Sequence, residues 1–535
     1  MYKKSQKIAL FSFLGALILS LFTACEGNLN KSPITEFTSE QAFQNPASYE
    51  QFLAKIYAGL AVSGQQGPAG NPDIAGIDEG FSNYLRQYWM HEELTTDEAV
   101  IAWNDGTIHD IHNQVWNASN EFIRAMYDRI YFQIGLTNEF LRQTTPDKLS
   151  SRGVSGTLLD DIKTFRAEAR FMRALSYWHA IDMFGNVPFV DENDPVGSFF
   201  PPQKSRKEVF NFIISELKAI EPDLKAPRQN DLGRADRAAD WMLQAKLYLN
   251  ASVYAGTAMN TEALTVLNKI IAAGYSLVPD YSYLFLADND TNGAQNETIF
   301  SVRFDGQKTQ GFGGTTFLVH AAVGGNMDPA NFGINGGWWG LRTTSTFVSK
   351  FADITGSTDK RAMFFTSGQT LQINDEFNFN DGYAIGKFKN VTSTGAPGSD
   401  AGGDFPDTDF IMFRLGDVYL MYAEAVLRGG AGGDIATAVG YINNLRERAY
   451  GDTSGNITAA DLNLNFILNE RARELFWEGT RRTDLIRFGQ FSNSGVWPWK
   501  GGTQAGRTTE AFRDLYPIPS TDIIANPNLV QNPGY

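Results

Sequence analysis

The sequence predicts a mainly α-helical fold with an irregular, glycine-rich middle. Two observations carry this. Near both ends of the chain, apolar residues recur at three- and four-residue spacing, the period of a helix with one buried face. Between about 275 and 410 that period is lost, and glycines gather at 311, 313, 314, 324, 325, 333, 336, 337 and 340. The length, 535 residues, suffices for one large core or two ordinary domains.

Residues 1–24 read as an export signal rather than as fold. Lys3, Lys4 and Lys7 precede an apolar run from Ile8 to Phe22, and Leu21-Phe22-Thr23-Ala24-Cys25 follows. Cys25 is the only cysteine, so an intrachain disulfide is excluded. It stands where a bacterial lipoprotein signal places the thiol that receives lipid, although Phe22 departs from the usual small aliphatic residue. Ordinary secretion with an incidental cysteine is the alternative. Several acyl chains, at ~0.8 kcal/mol per buried CH₂, would anchor such a protein stably. Residues 25–37 then form a lipidated polar tether. Removing residues 1–24, which carry three lysines and no acid, takes the formal charge from -15 to -18. Such a chain repels nucleic acid and anionic lipid, but is compatible with a neutral ligand.

Thr38-Ser39-Glu40-Gln41 offers a capping box for a helix running to about Leu60. A Gly/Pro/Asp loop fills 63–80, and a helix is expected over 115–143. The clearest helix runs from Leu159 to Met183, where Ile162, Phe165, Ala169, Met172, Leu175, His179 and Met183 make one face. Gly185 and Pro188 stop it. Further helices fit 205–220, 234–254 and 260–273, then 412–428, 434–449 and 464–490 after the irregular stretch. The tail, Tyr516-Pro-Ile-Pro through Asn532-Pro-Gly-Tyr535, is extended. The helical scaffold is thus expected mainly over 38–62, 115–275 and 410–490, and the irregular ligand-binding region mainly over 63–114 and 276–409. Paired helices of this length suit stacked hairpins, but no strict 34-residue repeat is visible.

Five segments carry a resemblance. They are Arg166–His179 with Phe184-Gly-Asn-Val-Pro188, Gly233–Asn250, Phe413–Ala425, Asn469–Leu485, and the Tyr516-Pro-Ile-Pro tail with Asn532-Pro-Gly. In this order and spacing the chain resembles the SusD/RagB family of outer-membrane nutrient-binding lipoproteins from Bacteroidota. Pro72–Gly80, Glu93–Glu98, Ala287–Asp290 and Trp499–Gly502 look most like its starch-binding branch. The resemblance implies a tetratricopeptide-like scaffold of helical hairpins and an irregular region carrying a glycan site. It also implies no catalysis, an outer-membrane location, and a SusC-like TonB-dependent transporter as partner.

Sugars need ring faces for their C–H surfaces and paired donors and acceptors for their hydroxyls. Both gather in two irregular clusters. One holds Asp78, Glu79, Tyr84, Arg86, Tyr88, Trp89, Trp103, Asn104 and Asp105, and the other Phe312, Phe317, Trp338 and Trp339. From composition alone, core packing is the commoner fate of such rings. The resemblance selects Asp78 and Arg86 for hydroxyl contacts and Phe312, Trp338 (or Trp339) and Trp103 for stacking, with Asn104 as a further contact. Ile101 and Gly106 depart from it: Ile101 stands where the starch binders have another stacking tryptophan. The resemblance also points to a structural calcium at Asp290, Asp407 and Asp409; two solvated acidic turns are the alternative. His109 and His112 have the spacing of zinc ligands, but no third ligand is evident.

An enzyme is the rival reading. Glu470 and Glu474 lie one helical turn apart, as a glycoside hydrolase pair could. Arg471, Arg473, Arg481 and Arg482 surround them in sequence, and cations lower a carboxyl pKa, the wrong direction for a general acid. Asp78 and Glu79 are a second pair, but neighbours on an extended segment point apart. A peptide ligand in place of a glycan is not separated by the sequence.

Overall fold

A computed structural model of the chain describes residues 39–68, 72–197 and 199–535. The export signal, Cys25 and the tether lie outside the described residues, as does Thr38 of the expected capping box. The chain divides into two units, Met1–Tyr49 and Glu50–Tyr535. In the first, Ser39–Ala42 forms one helical turn, and the rings of Phe43 and Tyr49 lie 5.2 Å apart.

The helices, in order, are α1 (Ala47–Ala61), α2 (Tyr84–Trp89), α3 (Glu121–Gln143), α4 (Thr157–Phe184), α5 (Arg206–Ile220) and α6 (Arg237–Leu249). There follow α7 (Asn260–Ile271), α8 (Gly314–Ala321), α9 (Leu415–Leu427), α10 (Ile435–Tyr450), α11 (Leu464–Leu475) and α12 (Arg481–Arg487). Shorter turns lie between them. The long helices pack as successive pairs: α3 on α4, α4 on α5, α6 on α7, α7 on α9, and α9 on α10 and α11. The mainly helical architecture of paired helices is therefore the one expected.

Local chemistry sets the boundaries. Asn120 accepts from the N–H groups of Phe122 and Ile123 and starts α3. Ser205 and Glu208 close a capping box at the start of α5. Asp236 accepts from Ala238 and Ala239 and starts α6.

Three expected helices are broken. Pro46 disfavours a helical Asn45, so the 38–60 helix splits after Ala42. The 234–254 helix pauses at Asn250 and resumes as Ala251–Ala255. The 464–490 helix is cut between α11 and α12, where Trp477 and Gly479 adopt left-handed φ of 62° and 74°. There the turn lets Gly479 N–H reach the Glu93 carboxylate at 2.6 Å. The irregular spans also hold helices that were not expected. Among them are α2, its π-helical continuation Met90–Leu94, Ile108–Asn113 and α8. All residues of α8 are buried, so it has no one-sided period to read.

Two antiparallel ribbons tie the irregular regions down. Strand β1 (Val100–Ile101) pairs with β3 (Leu341–Arg342), and β2 (Thr298–Val302) pairs with β4 (Phe410–Arg414). The second ribbon brings together the two ends of residues 303–409. The first joins that insert to the segment around residue 100.

The core beneath is charged as well as apolar. Arg414, 1 % exposed, reaches Glu297, Glu474 and Glu478 at 2.9, 2.7 and 2.6 Å. Arg361 reaches Glu470 and Glu474 at 2.8 and 3.2 Å. Arg448 joins Glu297 at 2.8 Å and also contacts Glu474.

Candidate glycan-binding site

The β1/β3 ribbon assembles the candidate site. Trp103 follows β1 by two residues and Trp338 precedes β3 by three, so pairing of the strands brings the two indoles together. Trp103 Nε1–H donates to the Trp338 carbonyl at 2.7 Å, and the ring centroids lie 6.3 Å apart. Phe312 meets Trp338 at 6.3 Å with an interplanar angle of 64°. All three rings are half-buried. Gly340 permits this approach, because a Cβ there would fall 2.7 Å from the Trp103 ring.

Asn83 fixes the polar side of the site. Its Oδ1 caps α2 by accepting from Arg86 N–H at 3.0 Å, and it also accepts from Gly314 N–H at 3.1 Å. Gly313 allows that contact, since a Cβ would lie 2.1 Å from the Asn83 Cβ. The Arg86 guanidinium lies 4.5 Å from the Phe317 ring and 5.7 Å from Trp103. Its Nη1 donates to the Phe312 carbonyl at 3.1 Å, while its buried Nε has no hydrogen-bond partner. Burial lowers the Arg86 pKa to about 10, with Asp105 and Asp78 acting against the fall, so the group stays cationic at neutral pH. Asp78 is exposed and accepts from Phe81 N–H at 3.0 Å, leaving acceptor capacity toward solvent.

The expected residues Asp78, Arg86, Trp103, Phe312 and Trp338 thus come together, and Asn104 is exposed on the irregular stretch after Trp103. Tyr84, Tyr88, Trp89 and Phe317 do not belong on the surface. They are at most 4 % exposed and fill the core. Trp339 is half exposed, with φ 54°, and meets Phe379 at 5.8 Å rather than the other rings of the site. Ile101 is fully buried within β1. Sequence reasoning missed Asn83, as well as His320, which stacks on Trp338 at 4.7 Å and 22°. His320 is held by the carbonyls of Gly336 and Asp404 at 2.7 and 2.9 Å, and burial lowers its pKa. No local motif marks either residue.

The residues expected to hold calcium do not fit the ion in this arrangement. The Arg303 guanidinium bridges Asp290 and Asp409 at 2.8 and 2.5 Å, taking up the charge a cation would need. Asp407 instead accepts from Gly306 N–H and Ser399 N–H at 2.7 and 2.5 Å. Among the described residues, no group of three or more His, Cys, Asp or Glu side chains is placed to hold a metal. His109 lies 3.3 Å from Glu376, whereas His112 is buried with Nδ1 toward the Leu94 carbonyl.

The candidate hydrolase pair is equally unsuited to acid chemistry. Glu470 and Glu474 are fully buried. Burial alone would raise Glu470, but Arg361, Arg473 and Arg446 together hold it down at about 2. Burial likewise opposes Arg448, Arg414 and Arg361 at Glu474, and the arginines win. Both stay ionised and sealed from solvent, where no general acid can act.

Comparison with known proteins places the chain among recognised relatives. The SusD family matches over residues 338–535. The starch-binding protein SusD of Bacteroides thetaiotaomicron is 36 % identical, with 97 % of each chain covered. SusD-like protein P2 of Formosa agariphila is 26 % identical over 80 % of this chain and 84 % of its own. Among solved structures, surface glycan-binding protein A of Bacteroides thetaiotaomicron, in complex with laminarihexaose, shares the fold. Its TM-score is 0.68 at 19 % identity, covering 91 % of this chain and 99 % of that one. A SusD superfamily protein of the same organism gives a TM-score of 0.69 at 20 % identity, covering 91 % and 100 %.

Proposed function

The chain belongs to the SusD family, and on that premise we propose that it is a non-catalytic surface lipoprotein that captures a polysaccharide or oligosaccharide. Phe312, Trp338 and Trp103 stack on sugar C–H faces, and Asp78 and Arg86 hold hydroxyls. The observation that carries the reading is the meeting of three half-buried rings beside the buried Arg86 guanidinium and the exposed Asp78 carboxylate. The chemistry is equilibrium capture. Single sites of this kind are weak, and many repeats along one polymer supply avidity.

Cys25 is the proposed lipid attachment, holding the protein at the outer membrane with its bulk outside the cell. The bound glycan passes to a SusC-like TonB-dependent transporter. A starch-type α-glucan is the first ligand, because the starch-binding relative matches over nearly the whole chain. A β-glucan is the second reading, favoured by the laminarihexaose held by a protein of the same fold.

Affinity electrophoresis of the purified chain through gels holding starch, glycogen, laminarin, levan or xylan tests this. Retardation by starch and glycogen, lost in Trp338→Ala, is expected. Retardation by laminarin alone would move the ligand to a β-glucan, and none in any gel would sink glycan capture at this site.

A further inference from the structure

A cleft of about 630 Å³ shares no lining residue with the aromatic site. Its floor is one face of α3, where Arg124, Tyr127, Asp128, Tyr131 and Phe132 follow helical spacing. Phe199–Pro201 forms one wall, and the segment from Asp522 to Leu529 forms the other. The walls are tied together, since Asn526 and Asn528 donate to the carbonyls of Pro201 and Phe200 at 2.9 and 2.8 Å. The cleft is therefore built rather than a gap between loose ends.

Its chemistry is mixed in a particular way. Phe200 is 58 % exposed at the rim, and Phe132 and Tyr131 are half-buried. Against these rings stand two carboxyls on different elements. Asp128 lies on α3 and Asp522 in the C-terminal segment. Burial, then the charge of Asp522, pushes Asp128 up to about 6, and burial also raises Asp522. Arg124 offsets this only in part, at 3.4 Å from Asp128. Two partly desolvated acceptors facing the same space disfavour a purely apolar occupant. They favour one that offers several hydroxyl donors beside an apolar face. A cleft of this size, with rings and a few convergent polar groups, is the usual form of a small-ligand site.

We propose that this cleft is a second saccharide-binding site, in which Phe132 and Phe200 pack on sugar C–H surfaces while Asp128 and Asp522 accept sugar hydroxyls. It stands independently of the site around Trp338. One loop serves both, lending Ile74 and Ala75 to the cleft and Asp78 to the first site. A polymer held at the first site would thus find a second hold on the same protein.

Calorimetric titration with maltohexaose and laminarihexaose, combined with carboxyl footprinting of Asp128 and Asp522, tests the proposal. About two saccharides per chain are expected in the unaltered protein, and about one in either Trp338→Ala or the Asp128→Asn/Asp522→Asn pair. Saccharide should protect both aspartates from labelling at least threefold, in Trp338→Ala as well. The paired Asn substitution removes repulsion, so its melting temperature should not fall, which separates lost binding from lost fold. If Trp338→Ala abolishes all binding and the aspartates label freely, the cleft is not a saccharide site and capture at the first site stands. If the aspartates are protected while Trp338→Ala changes nothing, the second site stands and the first falls. Absence of both binding and protection overturns both.

Discussion

The charge network around Arg414 and the aromatic site around Trp338 are built from opposite kinds of sequence. The network draws on the densest motif in the chain, Asn469–Leu485, with its alternating acids and arginines, and buries nearly all of it. The site draws on stretches with no period, where single aromatics stand among glycines. In the network each charge answers another charge inside the core. In the site three rings stay half-buried and Asp78 faces solvent. The contrast teaches that the most conspicuous charged motif here is structural, and that partly exposed rings beside a solvent-facing carboxylate mark the site.

Breaking the network should have the largest effect. Arg414→Ala leaves Glu297, Glu474 and Glu478 short of their shared cation and should cost about 3–5 kcal/mol in chemical denaturation. A loss under about 1 kcal/mol would mean that the network does not hold the scaffold. Opening the site should act on binding alone. Trp338→Ala should weaken glycan affinity by about 2 kcal/mol, roughly thirtyfold, with an unchanged melting temperature. A large drop in melting temperature would show that the ring belongs to the core.

Ile101 sharpens the comparison. In a site lacking one ring, Ile101→Trp would restore affinity for starch. Ile101 is fully buried in β1, so the expected result is instead overpacking of about 1–3 kcal/mol, read as lowered stability, with no gain in binding.

A fourth effect concerns pH. Burial, with Asp97 adding to it and Arg481 opposing, raises the buried Glu98 to about 7. A raised carboxyl stabilises the fold fully below its unfolded pKa, and that contribution is lost as pH rises through the folded value. Stability should therefore decline between about pH 4.5 and 7 on this account, and Glu98→Gln should flatten the decline. Glu470, held at about 2, acts oppositely: its contribution is present above the unfolded pKa and is lost as pH falls toward 2. An unchanged slope in Glu98→Gln would remove Glu98 from the account.

Much of the scaffold was legible because it is one-sided. The expected helix Leu159–Met183 lies within the observed α4, since its apolar face repeats every three or four residues. The break between α11 and α12 was not legible, because it depends on Glu93 and Glu98, nearly four hundred residues upstream. Strand β4 overlaps the start of the helix the sequence predicts over 412–428, since a fully buried strand shows no alternation. At the site, the residue types were legible but their sides were not. Phe312 and Phe317 look alike in sequence, yet one lines the surface and the other lies under Arg86. Only the path of the backbone separates them.

The β2/β4 ribbon has an evolutionary consequence. It joins residues 302 and 410 as neighbours, so everything between them leaves and returns through one narrow neck. The entropy of closing such a loop grows only slowly with its length. The outer loops of the insert can therefore lengthen or shorten without rethreading the helices beneath, whereas Arg361, paired with Glu470 and Glu474, ties its base to the core. A lineage could retool its diet by changing those outer loops, and a designer could graft others there, with Arg361 and strand β3 kept in place.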